Sequence, residues 1–285
     1  MSFFNTLFQK KERATSVVLL DIGATSVAGA YARYTEGELP ALLYTQRLPL
    51  EIRGGEPHER AMFRALEALG SALIREGAPA LARATGSGCI DSILVSVDTP
   101  WQETNVRTET FERKDPFVFT KHMVTMALEK TRVVIPGRHL ADESIISATA
   151  NGYRTRDPYE KNIRHASLTV LTSLIDAGVA DRIVTTLRDL YHAERVRLIA
   201  GTSLRYQAMR RAFPHEREPD TSSLEQALAA ADFGKLWVAD NPPKIVSVLP
   251  SHIVGSVRQV STAPPDLPLL LMALYFQHHS PEDKN

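Results

Sequence analysis

What the chain lacks narrows its chemistry before any motif is read. Cysteine occurs once in 285 residues, at Cys89, which excludes an internal disulfide framework and any cysteine-built zinc site. That thiol lies beside an apolar strand, with no His or Asn arrangement marking it as a nucleophile, and is expected to be packed. Charge of either sign is not in excess: Lys plus Arg and Asp plus Glu are 33 each, so no basic field argues for nucleic acid. Arg205, Arg210 and Arg211 read instead as solvated helix faces. No apolar run reaches the ~18 residues needed to cross a bilayer and no signal-peptide pattern opens the chain, so a cytoplasmic location is expected. His122, His139, His165 and the pair His278-His279 show no metal spacing. Hydrophobic residues at 44% and charged residues at 23% are ordinary for a globular protein long enough for one large or two medium cores.

The stretch that organises the rest is Ser16 to Tyr34, SVVLLDIGATSVAGAYARY. Val17 to Leu20 are four consecutive apolar residues, the pattern of a strand buried on both faces. Asp21-Ile22-Gly23-Ala24-Thr25-Ser26 is a small, polar turn, and the β-rich segment Val27 to Tyr34 follows at once, so a hairpin is expected. Its tip offers backbone N–H groups, two hydroxyls and a carboxylate. Gly23, Ala24, Thr25 and Ser26 suit a phosphate, and Asp21 suits a magnesium ion held through water. A Cβ at Gly23 would obstruct close approach of the backbone to a ligand, so Gly23→Val is expected to abolish binding there. The alternative is an ordinary hairpin whose aspartate caps the turn.

A third strand is expected over Ala41 to Leu50 and a helix from Pro57 to Arg75, with Met62, Leu66, Leu69 and Leu73 inward. Residues 77–88 read as a Gly, Ala and Ser-rich linker, and Ile90 to Val97 as a buried strand leading to Asp98. Beyond it, Thr104 to Phe111 alternates as a strand. Asp115-Pro116-Phe117 marks a helix start, the helix running to about Lys130. Strands follow at Leu140 to Tyr153, with a turn at Asn151-Gly152, and at His165 to Ala177. Then come a helix at Ala180 to Tyr191, a strand at Glu194 to Ile199 and a helix at Ser203 to Phe213. A charged linker, a helix at Ser222 to Phe233, a strand at Val246 to Leu249 and a leucine-rich helix at Asp266 to Gln277 complete the reading. Trp101 and Trp237 are expected as core or interface anchors.

The apolar strand followed by Asp21-Ile22-Gly23-Ala24-Thr25-Ser26-Val27 resembles the first phosphate loop of the actin and sugar-kinase superfamily. A short apolar-basic leader from Phe3 to Lys11 precedes it. The order strand, helix, strand, helix over Ser167 to Phe213 ends in Ala208-Met209-Arg210-Arg211-Ala212. In these features, over about residues 10–213, the chain is similar to the actin-like ATPase family of PilM (type IV pilus assembly) and FtsA (cell division). The resemblance implies an α/β, actin-like (ribonuclease H-like) subdomain with an inserted small α/β subdomain of strand-helix-strand-strand type. It implies a leader at 1–14, the actin-like subdomain at 15–101, the insertion at 102–200, and a return helix, linker and C-terminal helical segment at 201–285. It also implies ATP and magnesium at the turn, with Asp21 on the metal. The partners implied are proteins of a membrane-associated assembly machine at the inner face of the cell membrane, with self-association. Residues 3–11 would supply peripheral membrane contact, or else a frayed terminus or a partner-docking strip.

The chain departs from that pattern after Phe213. No second Asp-x-Gly-x-Thr motif occurs, and no Gly-Gly pair after Gly55 for an adenosine site. Phosphoryl transfer needs phosphates held from both sides, a metal and a group that positions the attacking water. Asp98 and Asp142 are the further carboxylates near strand ends, and such residues are more usually caps or turns. The expectation is therefore a scaffold of the PilM/FtsA type, recruiting partners for pilus or secretion-machine assembly or cell division, not an enzyme, with nucleotide binding weakened or lost. The alternative is a working actin-like ATPase. The terminal helix carries Leu269, Leu270, Leu271, Met272 and Leu274, too many for one narrow stripe, so it either fills the space of the absent half or docks on a partner.

Overall fold

The hairpin forms where the apolar pattern places it. Strand β1 (Thr15–Ile22) and strand β2 (Ser26–Tyr34) pair antiparallel from Thr15↔Tyr34 to Ile22↔Val27. The computed structural model describes residues 14–132, 134–155, 157–212, 256–261, 263–264 and 266–279. The leader, the expected helix Ser222 to Phe233, Trp237 and the expected strand Val246 to Leu249 lie outside these residues. The chain divides into two units. One comprises Met1–Val95, Thr185–Arg197 and Val246–Asn285; the other comprises Ser96–Val184 and Leu198–Ile245.

The first unit holds most of a sheet in the order β10-β3-β2-β1-β4-β9, where β3 is Ala41–Pro49, β4 Ser92–Val97, β9 Val196–Ala200 and β10 Arg258–Gln259. β1, β2 and β3 form an antiparallel meander, and β10 lies parallel to β3. Val17, Val18, Leu19 and Leu20 are all fully buried, which explains why apolar residues run on here without alternation. Helix α1 (His58–Ala72) buries Met62, Phe63, Leu66 and Leu69. It widens into a π turn at Leu73–Gly77 and continues as α2 (Ala78–Thr85). The expected linker over 77–88 is thus mostly helical. Its alanines favour helix, its proline stands in the first turn where no N–H is needed, and Gly86 ends it at φ +79°. Gly77 answers a packing demand rather than a loop: a Cβ there would lie 2.4 Å from the buried ring of Tyr31.

Helix α6 (Leu267–His279) has every residue from Leu269 to Phe276 buried, and it packs on β1 and β2. A helix that is apolar all round has to be enclosed, and this one is enclosed by its own unit. Tyr34 donates its hydroxyl to the Ala273 carbonyl at 3.2 Å and sets its ring 4.8 Å from that of Phe276. Arg197 donates to the Tyr275 hydroxyl at 2.8 Å.

Burial raises the pKa of several tyrosines in this unit, among them Tyr34 and Tyr191, well above the usual phenol range, and Tyr31, to about 12. A phenol raised in the folded state stays neutral there while the unfolded chain ionises near pH 10. Its stabilising contribution is therefore complete below pH 10 and is lost as pH rises towards the folded value. Stability is expected to fall above pH 10 by about 1.4 kcal/mol per tyrosine per pH unit, read as the urea midpoint at pH 9, 10 and 11. An unchanged midpoint across that range would contradict the burial of these rings.

The second unit carries β5 (Gln102–Phe119), α3 (Lys121–Lys130), β6 (Arg138–Ala150), β7 (Tyr153–Arg154) and β8 (Lys161–Asp176), in an antiparallel sheet ordered β5-β8-β6-β7. Asp115-Pro116-Phe117 does not start a helix. β5 runs through it, with the pairing to β8 interrupted between Glu112 and Phe117, so Pro116 sits where no ladder hydrogen bond is required. The helix starts later, at Lys121, because the Thr120 side chain accepts the Met123 N–H and caps it. Phe117, Phe119, Val124, Ile163, Leu168 and Val170 form the core, with the Phe119 ring 5.0 Å from Phe111 and 5.8 Å from Tyr159. Asn151 and Gly152 both take positive φ, the tight Asn-Gly turn expected there. Helix α4 (Ala177–Tyr191) follows β8, and α5 (Gly201–Ala212) follows β9. Trp101 is buried, as expected of an anchor. Cys89 is exposed rather than packed, because β4 begins only at Ser92 and the thiol falls in the loop before it.

Candidate functional site

The register of the meander decides what surrounds the predicted turn. Asp21 on β1 pairs with Ala28 on β2, and Ala28 pairs with Arg47 on β3, so the three stand in one row and share one face of the sheet. The alanine methyl leaves the guanidinium room to lie across the middle strand. Arg47 Nη2 donates to Asp21 Oδ2 at 3.2 Å, and Arg47 Nη1 donates to Ser26 Oγ at 2.7 Å. On its other side Arg47 makes a bidentate pair with Asp266, Nε to Oδ2 at 2.7 Å and Nη2 to Oδ1 at 2.9 Å. Asp266 stands at the start of α6. Its carboxylate accepts the Leu269 N–H at 3.3 Å and its carbonyl accepts the Leu270 N–H at 2.9 Å.

The side chain of Asp21 is 5% exposed, that of Asp266 13% and that of Arg47 30%. Burial works against the Arg47 charge, but hydrogen bonds and charge from Asp266, then from Asp21, outweigh it and hold the guanidinium fully ionised. Arg47 thus links the turn, the third strand and the first turn of α6.

Of the other predicted residues, Ala24 and Thr25 are exposed at the tip, while Gly23 and Ser26 are half-buried. Gly23 donates its N–H to the Ser26 carbonyl at 2.9 Å, and a Cβ on it would meet that same carbonyl at 3.3 Å. The contact a side chain would meet here lies within the turn, whose own carbonyl would have to give by a few tenths of an ångström. The Thr25 carbonyl accepts the Leu50 N–H at 2.8 Å, and His58 at the start of α1 donates Nε2–H to the Ala24 carbonyl at 2.6 Å.

In the second unit Asp98 forms a bidentate pair with Arg205 of α5, at 2.8 and 2.7 Å. Asp142 accepts from the hydroxyls of Ser144 and Ser203 and from the Gln207 amide. A recess of about 100 Å³ is lined by Asn105, Arg107, Thr172 and Leu174, well below the roughly 300 Å³ at which small-molecule pockets begin. Among the described residues no group of His, Cys, Asp and Glu is arranged to hold a metal ion. No described helix is long and apolar enough to cross a membrane.

Reading the sequence missed Arg47, Asp266 and His58. Arg47 follows Thr45 and Gln46 in the third strand, and only the pairing register of the meander places it opposite Ala28 and hence in line with Asp21.

The six-stranded sheet, the four-stranded sheet and their helices make this a mixed α/β protein. No family model matches the sequence, and no curated protein matches it. Among solved structures it is similar to the PilM-PilN type IV pilus biogenesis complex, at 16% identity over 70% of this chain and 51% of that one, with a TM-score of 0.39. It is also similar to a protein of actin-like ATPase fold and unknown function from Bacteroides thetaiotaomicron, at 8% identity over 74% and 60% of the two chains, TM-score 0.28. A third is the cytoplasmic domain of EpsL, an inner membrane component of the type II secretion system of Vibrio cholerae, at 8% identity over 67% and 59%, TM-score 0.29. The aligned part of each structure is between about half and three fifths of its length.

Proposed function

We propose that this chain is an actin-like scaffold, not a turnover enzyme. It recruits protein partners to a membrane-associated assembly machine of the pilus or secretion kind, at the cytoplasmic face, with nucleotide binding weakened or lost. The observation that supports this reading is that the three carboxylates offered for metal and phosphate chemistry all serve the fold. Asp21 is held by Arg47, Asp98 by Arg205, and Asp142 by two hydroxyls and an amide. A working ATPase needs at least one such group directed at the metal or the attacking water. The assembly role rests on the resemblance of the phosphate-loop strand and the Ser167 to Phe213 segment to the PilM and FtsA family.

Two measurements on the full chain test it. Incubation with Mg-ATP should give no phosphate release above background, and co-expression with the products of adjacent genes should yield a complex that survives gel filtration. Phosphate release that disappears in Asp21→Ala would replace this reading with an active ATPase.

A further inference from the structure

We infer that Arg47 is a resident cation of the hairpin turn, standing where a magnesium-bound phosphate would have to act and locking the turn to the C-terminal helix. The inference deepens the scaffold reading and rests on it for the identification of the turn as a phosphate loop. The donor set carries it. A magnesium ion held through Asp21 would place a dication beside a guanidinium 3.2 Å from the same carboxylate, and like charges oppose one another in a site this buried. A phosphate fares no better. Ser26 Oγ, which accepts from Arg47, keeps its own O–H to offer, so the obstacle is one of charge. The trio Asp21, Arg47 and Asp266 sums to one negative charge, which repels a further anion. Arg47 cannot swing out to greet a phosphate without abandoning the bidentate pair with Asp266. The turn and the magnesium nucleotide therefore do not fit each other while Arg47 is in place.

The lock also has a mechanical consequence. Asp266 both caps α6 and holds Arg47, so the position of the turn and the docking of α6 are coupled through one side chain. Ala28 makes this geometry available, since any larger residue in the middle of the row would fill the path of the guanidinium.

Thermal unfolding of the full chain, with and without millimolar manganese, tests the inference. Arg47→Met is expected to lower Tm by about 5 °C or more, because it leaves two largely buried carboxylates side by side. Manganese should return much of that loss, since the freed carboxylates then bind the ion, and should leave wild-type Tm unchanged. A triple variant, Arg47→Met with Asp21→Asn and Asp266→Asn, keeps a capping side chain at 266 and removes the charge; it should recover Tm without manganese. If Arg47→Met fails to fold, the triple variant alone decides: recovery supports the lock, and equal failure means Arg47 acts only by packing, which overturns it. An Arg47→Met protein with wild-type Tm overturns the lock while leaving the scaffold reading untouched. Phosphate release from Mg-ATP by wild type, lost in Asp21→Ala, overturns both.

Discussion

A chain ending at Pro264 is expected to lose the first unit as a cooperative structure. The truncation removes α6, in which Leu269, Leu270, Leu271, Met272, Ala273, Leu274, Tyr275 and Phe276 are all buried. Each large apolar side chain taken out of water contributes about 1.5–3 kcal/mol. Their sum rivals or exceeds the roughly 5–15 kcal/mol by which a whole domain is stable. The cut also strips the faces of β1 and β2 that α6 covers, and removes Asp266 from Arg47. Contiguous apolar surface of that kind associates, so light scattering should show aggregation at concentrations where the full chain does not scatter. Single substitution gives a graded version: Leu270→Ala, at a fully buried position, should cost about 2–5 kcal/mol by urea unfolding. A truncated chain that stays monomeric and unfolds with an unchanged midpoint would contradict the packing described.

In the second unit the largest effect is expected at Arg205. Its guanidinium meets Asp98 bidentately, and the two side chains are 14% and 8% exposed. The first residue of α5 lies against the same carboxylate: a Cβ added to Gly201 would come within 2.5 Å of Asp98 Oδ1. The positive end of the helix therefore helps to hold the charge, but it supplies less than an opposing guanidinium does. Arg205→Leu removes the partner and leaves the carboxylate buried, a change that typically costs about 3–5 kcal/mol. At this size that corresponds to a Tm lower by roughly 6–20 °C. Adding Asp98→Asn to Arg205→Leu should restore part of the loss, since the desolvated charge, not the missing contact, is the larger cost. If the double variant is no better than the single one, the pair contributes chiefly through packing.

The two sites show where sequence reading stops. Asp98 was legible as a strand-end carboxylate read as a cap or turn residue; the structure instead pairs it with Arg205. Its partner lies 107 residues away, on a helix whose arginines read as solvated. Asp21 was legible as the carboxylate of a phosphate-type turn. The cation that meets it comes from the third strand, where no residue stood out as functional, and Asp266 lies 219 residues further along the chain.

By itself the sequence determined the local elements. Consecutive apolar residues in β1, the small polar turn after it, the 3–4 spacing in α1 and the unbroken leucines of α6 each favour one conformation, because each pattern matches only one burial geometry. Where it misled, a residue with two structural uses was involved: Pro116 tolerated in an interrupted strand rather than opening a helix, and alanines around Pro79 continuing one. Only the tertiary structure decided what the turn is surrounded by. Strand register is set by whole-sheet pairing, and one step of slip would turn Arg47 to the opposite face from Asp21. The same holds for Asp266, whose place beside Arg47 follows from α6 being buried on β1 and β2. Charge pairing of this kind depends on distances that close only after the sheet and its covering helix have formed.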